Sequence, residues 1–429
     1  MENLLAHADS SPADSSSNFR YNCEVYACRR SYEENYQNGP QCTAAFPPPG
    51  RTDDSLEIHL QHPFLGFSLA NPLGIPAGPL LNAKWVKFYL DFGFAVPVYK
   101  TVRSVYRDCA PAPNCVCVAM PQEGQTEPEV QEWEPFQPPP QLLSCDAPDH
   151  LDVTQLSIGN SFGVPSMAPE LWMPDIELAN SYCREGQLLI VSVMGTEGAG
   201  GRSLAQDFAY TAAMACDAGA KVIEANLSCP NLGKGSKVSQ GVQGVQGVQG
   251  VQDAQDAQKI KKGAKSISAG MLYANAEHAA LVAQKIRSAI GPSVPLLLKI
   301  GSLPLEQLEV LVAATRPYVD GYAGINTVRA NVRTADGAPA FPGRLKVGIG
   351  GRAIHGIAQK FTVDLHALRS HRRDDFVIVG IGGMMSENHL DERLRSGADL
   401  AMSATAAMWD PYLASRWLLA RKPEKRNLN

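Results

Sequence analysis

Short apolar runs alternate with segments of helical period along most of the chain. The runs are NPLGIPAG (71–78), AVPVYKTV (95–102), LLIVSVMG (188–195), KVIEANLS (221–228), PLLLKIG (295–301), VDGYAGIN (319–326), FVIVGIGG (376–383) and ADLAMSAT (398–405). Most are rich in β-branched or small apolar residues and lack polar alternation, the pattern of strands covered on both faces. Helical periodicity follows each run in turn, at 84–91, 168–184, 204–218, 276–290, 305–315, 353–369, 387–394 and 411–420. Eight strand–helix units in series predict an α/β fold, a (β/α)8 TIM barrel over 55–421. An open doubly wound sheet is the alternative.

Three stretches break the rhythm. Residues 1–54 are rich in Ser, Asn, Pro and charge with little periodicity, and read as a disordered or loosely attached extension. Residues 107–152 hold PAP, PPP and many Glu and Gln, and read as a surface excursion. Residues 238–262 enclose GVQGVQGVQGVQDAQDAQ (241–258), a three-residue repeat too short for a solenoid unit. Gly, Gln and small Val side chains cannot build a core, so this insertion reads as a loop. Residues 422–429 form a tail.

Composition then narrows the function. With 45% apolar and 19% charged residues the chain can bury a large core. Lys plus Arg (38) against Asp plus Glu (43) gives a formal net charge of −5, so nothing calls for nucleic acid or an anionic membrane as the main ligand. No apolar run approaches the ~20 residues of a bilayer span, and MENLLAHADSSPADSSS has neither a basic n-region nor an adequate hydrophobic stretch. A cytoplasmic protein is the expectation. Cysteines at 23, 28, 42, 109, 115, 117, 145, 183, 216 and 229 are scattered, so reduced thiols are expected. The C-x-C at 115/117 and the C-x4-C at 23/28 lack a second ligand pair, and no metal site is expected.

In such a barrel, chemistry belongs at the C-terminal ends of the strands. Those ends carry Gly78, Lys100, Asn226 to Cys229, Lys299, Asn326 with Thr327, Gly382 with Gly383, and Thr405. Lysines, amides, a thiol and glycine pairs suit an anionic, hydrogen-bond-rich small molecule together with a phosphate. Gly350-Gly351 precedes a helix, Gly382-Gly383 closes the seventh run and Ala404-Thr405 the eighth, the places where barrels hold phosphate. Glycine lets backbone N–H groups approach an anion closely.

The most specific motif is Asn226-Leu227-Ser228-Cys229-Pro230-Asn231. Here the chain resembles the dihydroorotate dehydrogenase family, whose motif reads N-[LI]-S-[CS]-P-N. NPLGIPAGP (71–79), VYKTV (98–102), GNSFGVP (159–165), GINT (324–327), GIGG (348–351), GIGGM (380–384) and SAT (403–405) match further family pieces in order, over roughly 63–419. The resemblance implies noncovalent FMN and oxidation of (S)-dihydroorotate to orotate in pyrimidine (UMP) biosynthesis. A base takes the C5 proton while hydride passes from C6 to flavin N5. Cys229 stands at the base position, Lys100 between flavin and substrate, and Lys299 near flavin N1 and O2. Asn160, Asn226, Asn231 and Asn326 match the orotate-binding amides, with Gly163, Val164 and Thr327 beside them. Ala77, Gly78, Lys100, Thr101, Asn226, Lys299, Asn326, Gly350, Gly351, Gly382, Gly383, Ala404 and Thr405 match the flavin contacts.

These roles are chemically sensible. The C5 proton is weakly acidic, so its base must be poised in a dry site, and the thiolate is a cysteine's active form. Asparagine presents donor and acceptor together to an imide edge, and a cation stabilises an anionic reduced flavin. Ser228 reads as a cap on the turn.

The family's membrane-attached branch carries a hydrophobic N-terminal segment and a serine base, and the chain shows neither. Its loop N-S-F-G-V-P and Gly233-Lys234 resemble the soluble group that reduces fumarate as a homodimer. Lys299-Ile300-Gly301-Ser302 departs from that group's K-L-P-P, Ala404 replaces a glycine, and the repeat insertion falls where the family has a mobile lid. Two other functions stay open: oxidation of another dihydropyrimidine such as dihydrouracil, and flavin binding without turnover.

Overall fold

All eight apolar runs form strands, each shorter than its run because the flanking glycine and polar residues turn into loops. A computed structural model describes residues 25–41, 61–118, 153–228, 271–334, 337–344 and 346–421. Its strands, in chain order, are β1 His62–Phe64, β2 Phe67–Leu69, β3 Leu73–Ile75, β4 Val96–Val102, β5 Cys115–Val118, β6 Ser157–Asn160 and β7 Ile190–Val193, then β8 Ile223–Asn226, β9 Leu296–Ile300, β10 Gly321–Gly324, β11 Val328–Ala330, β12 Val347–Gly351, β13 Val377–Ile381 and β14 Leu400–Met402. Strands β3, β4, β7, β8, β9, β10, β13 and β14 close into a barrel in that order. Every neighbouring pair is parallel. Closure rules out the open sheet and makes the fold a (β/α)8 barrel.

The helices stop and start where local chemistry dictates. Pro169 opens Pro169–Ser181, as suits a residue with no N–H to satisfy. Asn82 and Asn275 cap Ala83–Asp91 and Ala276–Ile290 through their side-chain oxygens. Ser203 and Gln206 form a capping box on Leu204–Asp217. The last expected helix, 411–420, is Leu413–Leu419, and a short further helix, Thr405–Trp409, precedes it, with Pro411 between the two.

Two apolar layers hold the barrel. Inside, Val98, Ile190, Val222, Leu297, Ala323, Val379 and Leu400 fill the cylinder, and Phe64 and Leu69 of the β1–β2 hairpin plug its N-terminal end. Outside, the strands' other faces pack on the helices.

The same rim carries a repeated clasp. Asp320, just before β10, accepts the Leu296 N–H at 2.7 Å and pairs with Arg287 at 2.5 Å. Asp399, just before β14, accepts the Ile378 N–H at 2.7 Å and pairs with Arg369 at 2.6 Å. Each carboxylate ties one strand's start to its neighbour and to an outer helix. Asp399→Ala leaves the Ile378 amide and the Arg369 guanidinium without this acceptor, and is expected to cost about 2 kcal/mol. Urea unfolding measures this, and an unmoved midpoint contradicts it.

Two expectations need correction. Residues 25–41, inside the stretch expected to be disordered or loosely attached, pack on the barrel. Val25 and Tyr26 are buried, and Ser31 and Glu34 cap the helix Tyr32–Asn38. The indole of Trp85 donates to Asn35 O at 3.3 Å, and the Asn82 amide donates to Tyr36 O at 2.8 Å. Tyr26, Tyr32 and Tyr36 supply the apolar area that the polar composition conceals. The excursion 107–152 likewise contains β5, buried throughout. Cys-Val-Cys-Val pairs with β6 in a four-stranded antiparallel sheet of order β11-β12-β6-β5. The rest of 1–54, the insertion 238–262 and the tail 422–429 lie outside the described residues, apart from those at 25–41. Among the described residues no helix is long and apolar enough to cross a membrane.

Candidate active site

Interior positions at the strand ends converge on one mouth. Alternation along β8 turns Glu224 and Asn226 inward, and Asn226 is register-paired with Lys299 of β9. The Asn226 amide donates to Thr101 Oγ1 at 3.3 Å, and Thr101 in turn lies 2.9 Å from Ser192 Oγ. Asn226 Oδ1 accepts from Ser228 N at 3.1 Å and from the Asn326 amide at 3.5 Å. Asn326 is itself fixed, its Oδ1 accepting the Thr327 N–H at 2.8 Å. Ser192, Thr101, Asn226 and Asn326 thus link the ends of four barrel strands in one polar row.

Lys299 sits beside that row and is 6% exposed. Its ammonium makes no ion pair or hydrogen bond among the described residues, which leaves it available to an anionic ligand at the mouth. Lys100 is half-buried at the end of β4, its N–H donating to Leu80 O at 3.1 Å. Gly78 follows β3 and a Cβ there would meet nothing within 4 Å, whereas neighbouring Ala77 is buried in the barrel.

The four-stranded sheet lies over the mouth. Asn160, at the end of β6, donates to Gly348 O at 3.1 Å. A Cβ on Gly348 would stand 2.3 Å from Thr327 Oγ1, so the missing side chain is what lets Thr327 approach Asn160. The loop after Asn160 is held open under strain: Gly163 and Val164 both have positive φ, +76° and +53°. That conformation is an outlier for a β-branched residue. Arg107 Nε donates to Gly163 O at 2.9 Å and Arg103 Nε to Val164 O at 3.1 Å, clamping the loop from β4's extension.

The glycine pairs gather at the neighbouring edge. Gly350 and Gly351 end β12, and a Cβ on them would lie 3.4 and 3.0 Å from the Thr405 side chain. Gly383 packs on the start of the helix His355–Arg372, where a Cβ would stand 2.3 Å from His355 Cα. Ala404 directly precedes Thr405, which is buried. Amides of two strand ends and a helix N-terminus therefore form a cradle fit for a phosphate.

Sequence reasoning missed the groups behind these. Arg393 is fully buried, yet it reads as surface in ENHLDERLR. Its guanidinium donates to Ile381 O at 3.3 Å and Gly382 O at 3.1 Å, fixing the glycine turn, and burial pulls its pKa down to about 10. Glu224 is buried in the barrel with no partner for Oε1 among the described residues; a carboxylate in the middle of the apolar run KVIEANLS was its signal. Arg103 and Arg107 had none. Cys229 and Asn231 lie outside the described residues, as does Pro230; the turn leading to them is fixed as far as Ser228, whose hydroxyl donates to Lys299 O at 3.3 Å.

His355 and His389 stack behind the cradle with ring centroids 4.2 Å apart. His389 Nδ1 accepts the Met385 N–H at 3.1 Å, so that nitrogen carries no proton. Burial, then His355, pushes the His389 pKa down to about 4, and burial, then Arg393, lowers that of His355. The unfolded chain therefore binds more protons below about pH 6.5, and stability present above that pH is lost as pH falls toward 4. Thermal unfolding of the wild type is expected to drop more steeply between pH 7 and 5 than that of His389→Phe. Parallel slopes contradict the assignment.

Comparison with known proteins closes the identification. The family model described as dihydroorotate dehydrogenase matches residues 146–417. The chain is 34% identical over 409 residues to a dihydroorotate dehydrogenase of Dictyostelium discoideum, covering 92% of this chain and 97% of that one. It is 26% identical over 235 residues to an NAD-dependent dihydropyrimidine dehydrogenase subunit PreA of Escherichia coli, covering 53% of this chain and 46% of the subunit. In fold it is similar to DHODH of Eimeria tenella solved with ferulenol, with a TM-score of 0.57 at 14% identity over 84% of this chain and 83% of that one. With a barrel, a mouth and relatives that agree, the chain belongs to the dihydroorotate dehydrogenase family of oxidoreductases.

Proposed function

We propose that the chain oxidises (S)-dihydroorotate to orotate, with Cys229 taking the C5 proton and fumarate receiving the electrons. The observation that carries this reading is buried Lys299, without a partner among the described residues, beside the Asn226–Asn326 row. FMN is the cofactor of the family, and when bound it supplies the two-electron acceptor that no side chain here can provide. The residues present fit it. Gly350, Gly351, Gly382, Gly383 and Thr405 would hold the phosphate, with Ala404 leading into Thr405. Lys299 would meet the edge of the ring that becomes anionic, and Ala77, Gly78, Lys100, Thr101, Asn226 and Asn326 would border the rest.

The chain's own part is binding, orientation and proton removal. Asn160, Asn226, Asn231 and Asn326 would offer donors and acceptors to the pyrimidine edges, with Thr327, Gly163 and Val164 shaping the rim. Lys100 would face the substrate carboxylate. The bonds from Asn226 Oδ1 to Ser228 N and from Ser228 Oγ to Lys299 O support a fixed approach for Cys229. Fumarate is favoured by the 160–165 loop and Gly233-Lys234, and a cytoplasmic homodimer completes the proposal.

Purified yellow protein is expected to bleach anaerobically with dihydroorotate, and steady-state turnover to be fastest with fumarate when quinone and NAD are run alongside. The similarity to the PreA subunit favours one second reading, a dihydropyrimidine without the carboxylate. Bleaching with dihydrouracil alone would select it. Bleaching with neither would mark a flavin protein without turnover, and a monomeric mass would remove the homodimer.

A further inference from the structure

The segment 25–41 is a closed loop, Gln41 N donating to Val25 O at 3.0 Å, that packs on elements from both sides of the site. At one end Val25 N donates to Met408 O at 2.8 Å, in the helix that begins at Thr405. The Tyr26 and Tyr32 rings meet Phe162 of the 160–165 loop edge-on, at centroid distances of 6.0 and 6.2 Å. Between them the Cys28 thiol lies 3.5 Å from the thiol of Cys115. Cys115 is buried on β5, the edge strand of the sheet over the mouth, whereas Cys28 is half-buried. Beside them the Tyr26 hydroxyl is buried without a hydrogen-bond partner among the described residues. The two sulfurs come from chain segments 87 residues apart and need close by only about 1.5 Å to reach disulfide bond length.

We propose that Cys28 and Cys115 are a two-thiol oxidation site whose substrate is a hydroperoxide and whose product is a disulfide stapling the segment 25–41 to β5. Cys28, the more accessible sulfur, attacks the peroxide oxygen; the O–O bond breaks, one oxygen stays on sulfur as a sulfenic acid, and the other leaves as water or alcohol. The Cys115 sulfur then displaces the sulfenic oxygen as water, and the S–S bond forms. Two thiols are oxidised by two electrons and one peroxide is reduced. Flavin chemistry takes no part. The staple closes a loop through Tyr26 and β5, so it holds the aromatic wall of Phe162 in place.

The test uses the full-length flavin-loaded protein treated with a few equivalents of hydrogen peroxide. Peptide mapping is expected to find Cys28 joined to Cys115, lighter by two hydrogens than the two thiol peptides and restored by dithiothreitol. Brief trypsin cleavage at exposed Arg29 or Arg30 is then expected to leave the N-terminal fragment attached on a non-reducing gel and released on a reducing one. Both signals are expected to be lost in Cys28→Ser, and in Cys115→Ser, with the reduced enzymes' turnover unchanged. Cys28 joined to Cys23, Cys109 or Cys117 instead, or carried past the sulfenic stage with Cys115 still a thiol, overturns the proposal. So does an attached fragment that persists in Cys28→Ser.

Discussion

Cys229→Ala is expected to keep its flavin and lose turnover by about 10²–10⁴-fold, the range for removing a positioned general base. Cys229 is not among the flavin contacts named above, so absorbance of the bound flavin should be unchanged while the substrate no longer bleaches it. The pH profile separates a base from a mere wall of the pocket. With the thiol present, kcat/KM rises with pH as the thiolate forms. The alanine variant is expected to lose that limb, and Cys229→Ser to regain part of the rate at higher pH. Near-wild-type reduction of the flavin by dihydroorotate in Cys229→Ala would remove the base assignment.

Lys299→Met is expected to slow flavin reduction by about 10²–10³-fold, comparable to losing one preorganised donor to a developing anion. Methionine keeps most of the volume of a side chain that is 6% exposed, so the barrel should stay packed. Two readouts isolate the charge: the flavin potential is expected to move negative, and KM for dihydroorotate to change less than kcat. Unchanged potential together with unchanged half-reaction would place the ammonium away from the ring.

The barrel was legible because its strands are buried on both faces and so read as apolar runs. LLIVSVMG and PLLLKIG appear as β7 and β9, trimmed by two residues and by one at each end. The mouth was legible where glycine and amide positions follow such runs, as at Asn226, Asn326 and Gly382. The overlying sheet was not. β6 and β12 read SIGN and VGIGG, too glycine-rich for a strand signal, and β5 hid in proline-rich surroundings. Arg393 escaped for a different reason: its burial is set by carbonyls at the end of β13, which no local pattern encodes.

The clasps of Asp320 and Asp399 belong to the rim where the strands begin, whereas the 107–152 and 238–262 insertions leave from the ends of β4 and β8, on the opposite rim. Descent with modification therefore has a free hand at one end of the molecule. Selection can lengthen, repeat or rewrite segments that leave the rim of the site while the hoop that keeps the cylinder shut stays untouched, so divergence there need not be bought with a loss of foldability.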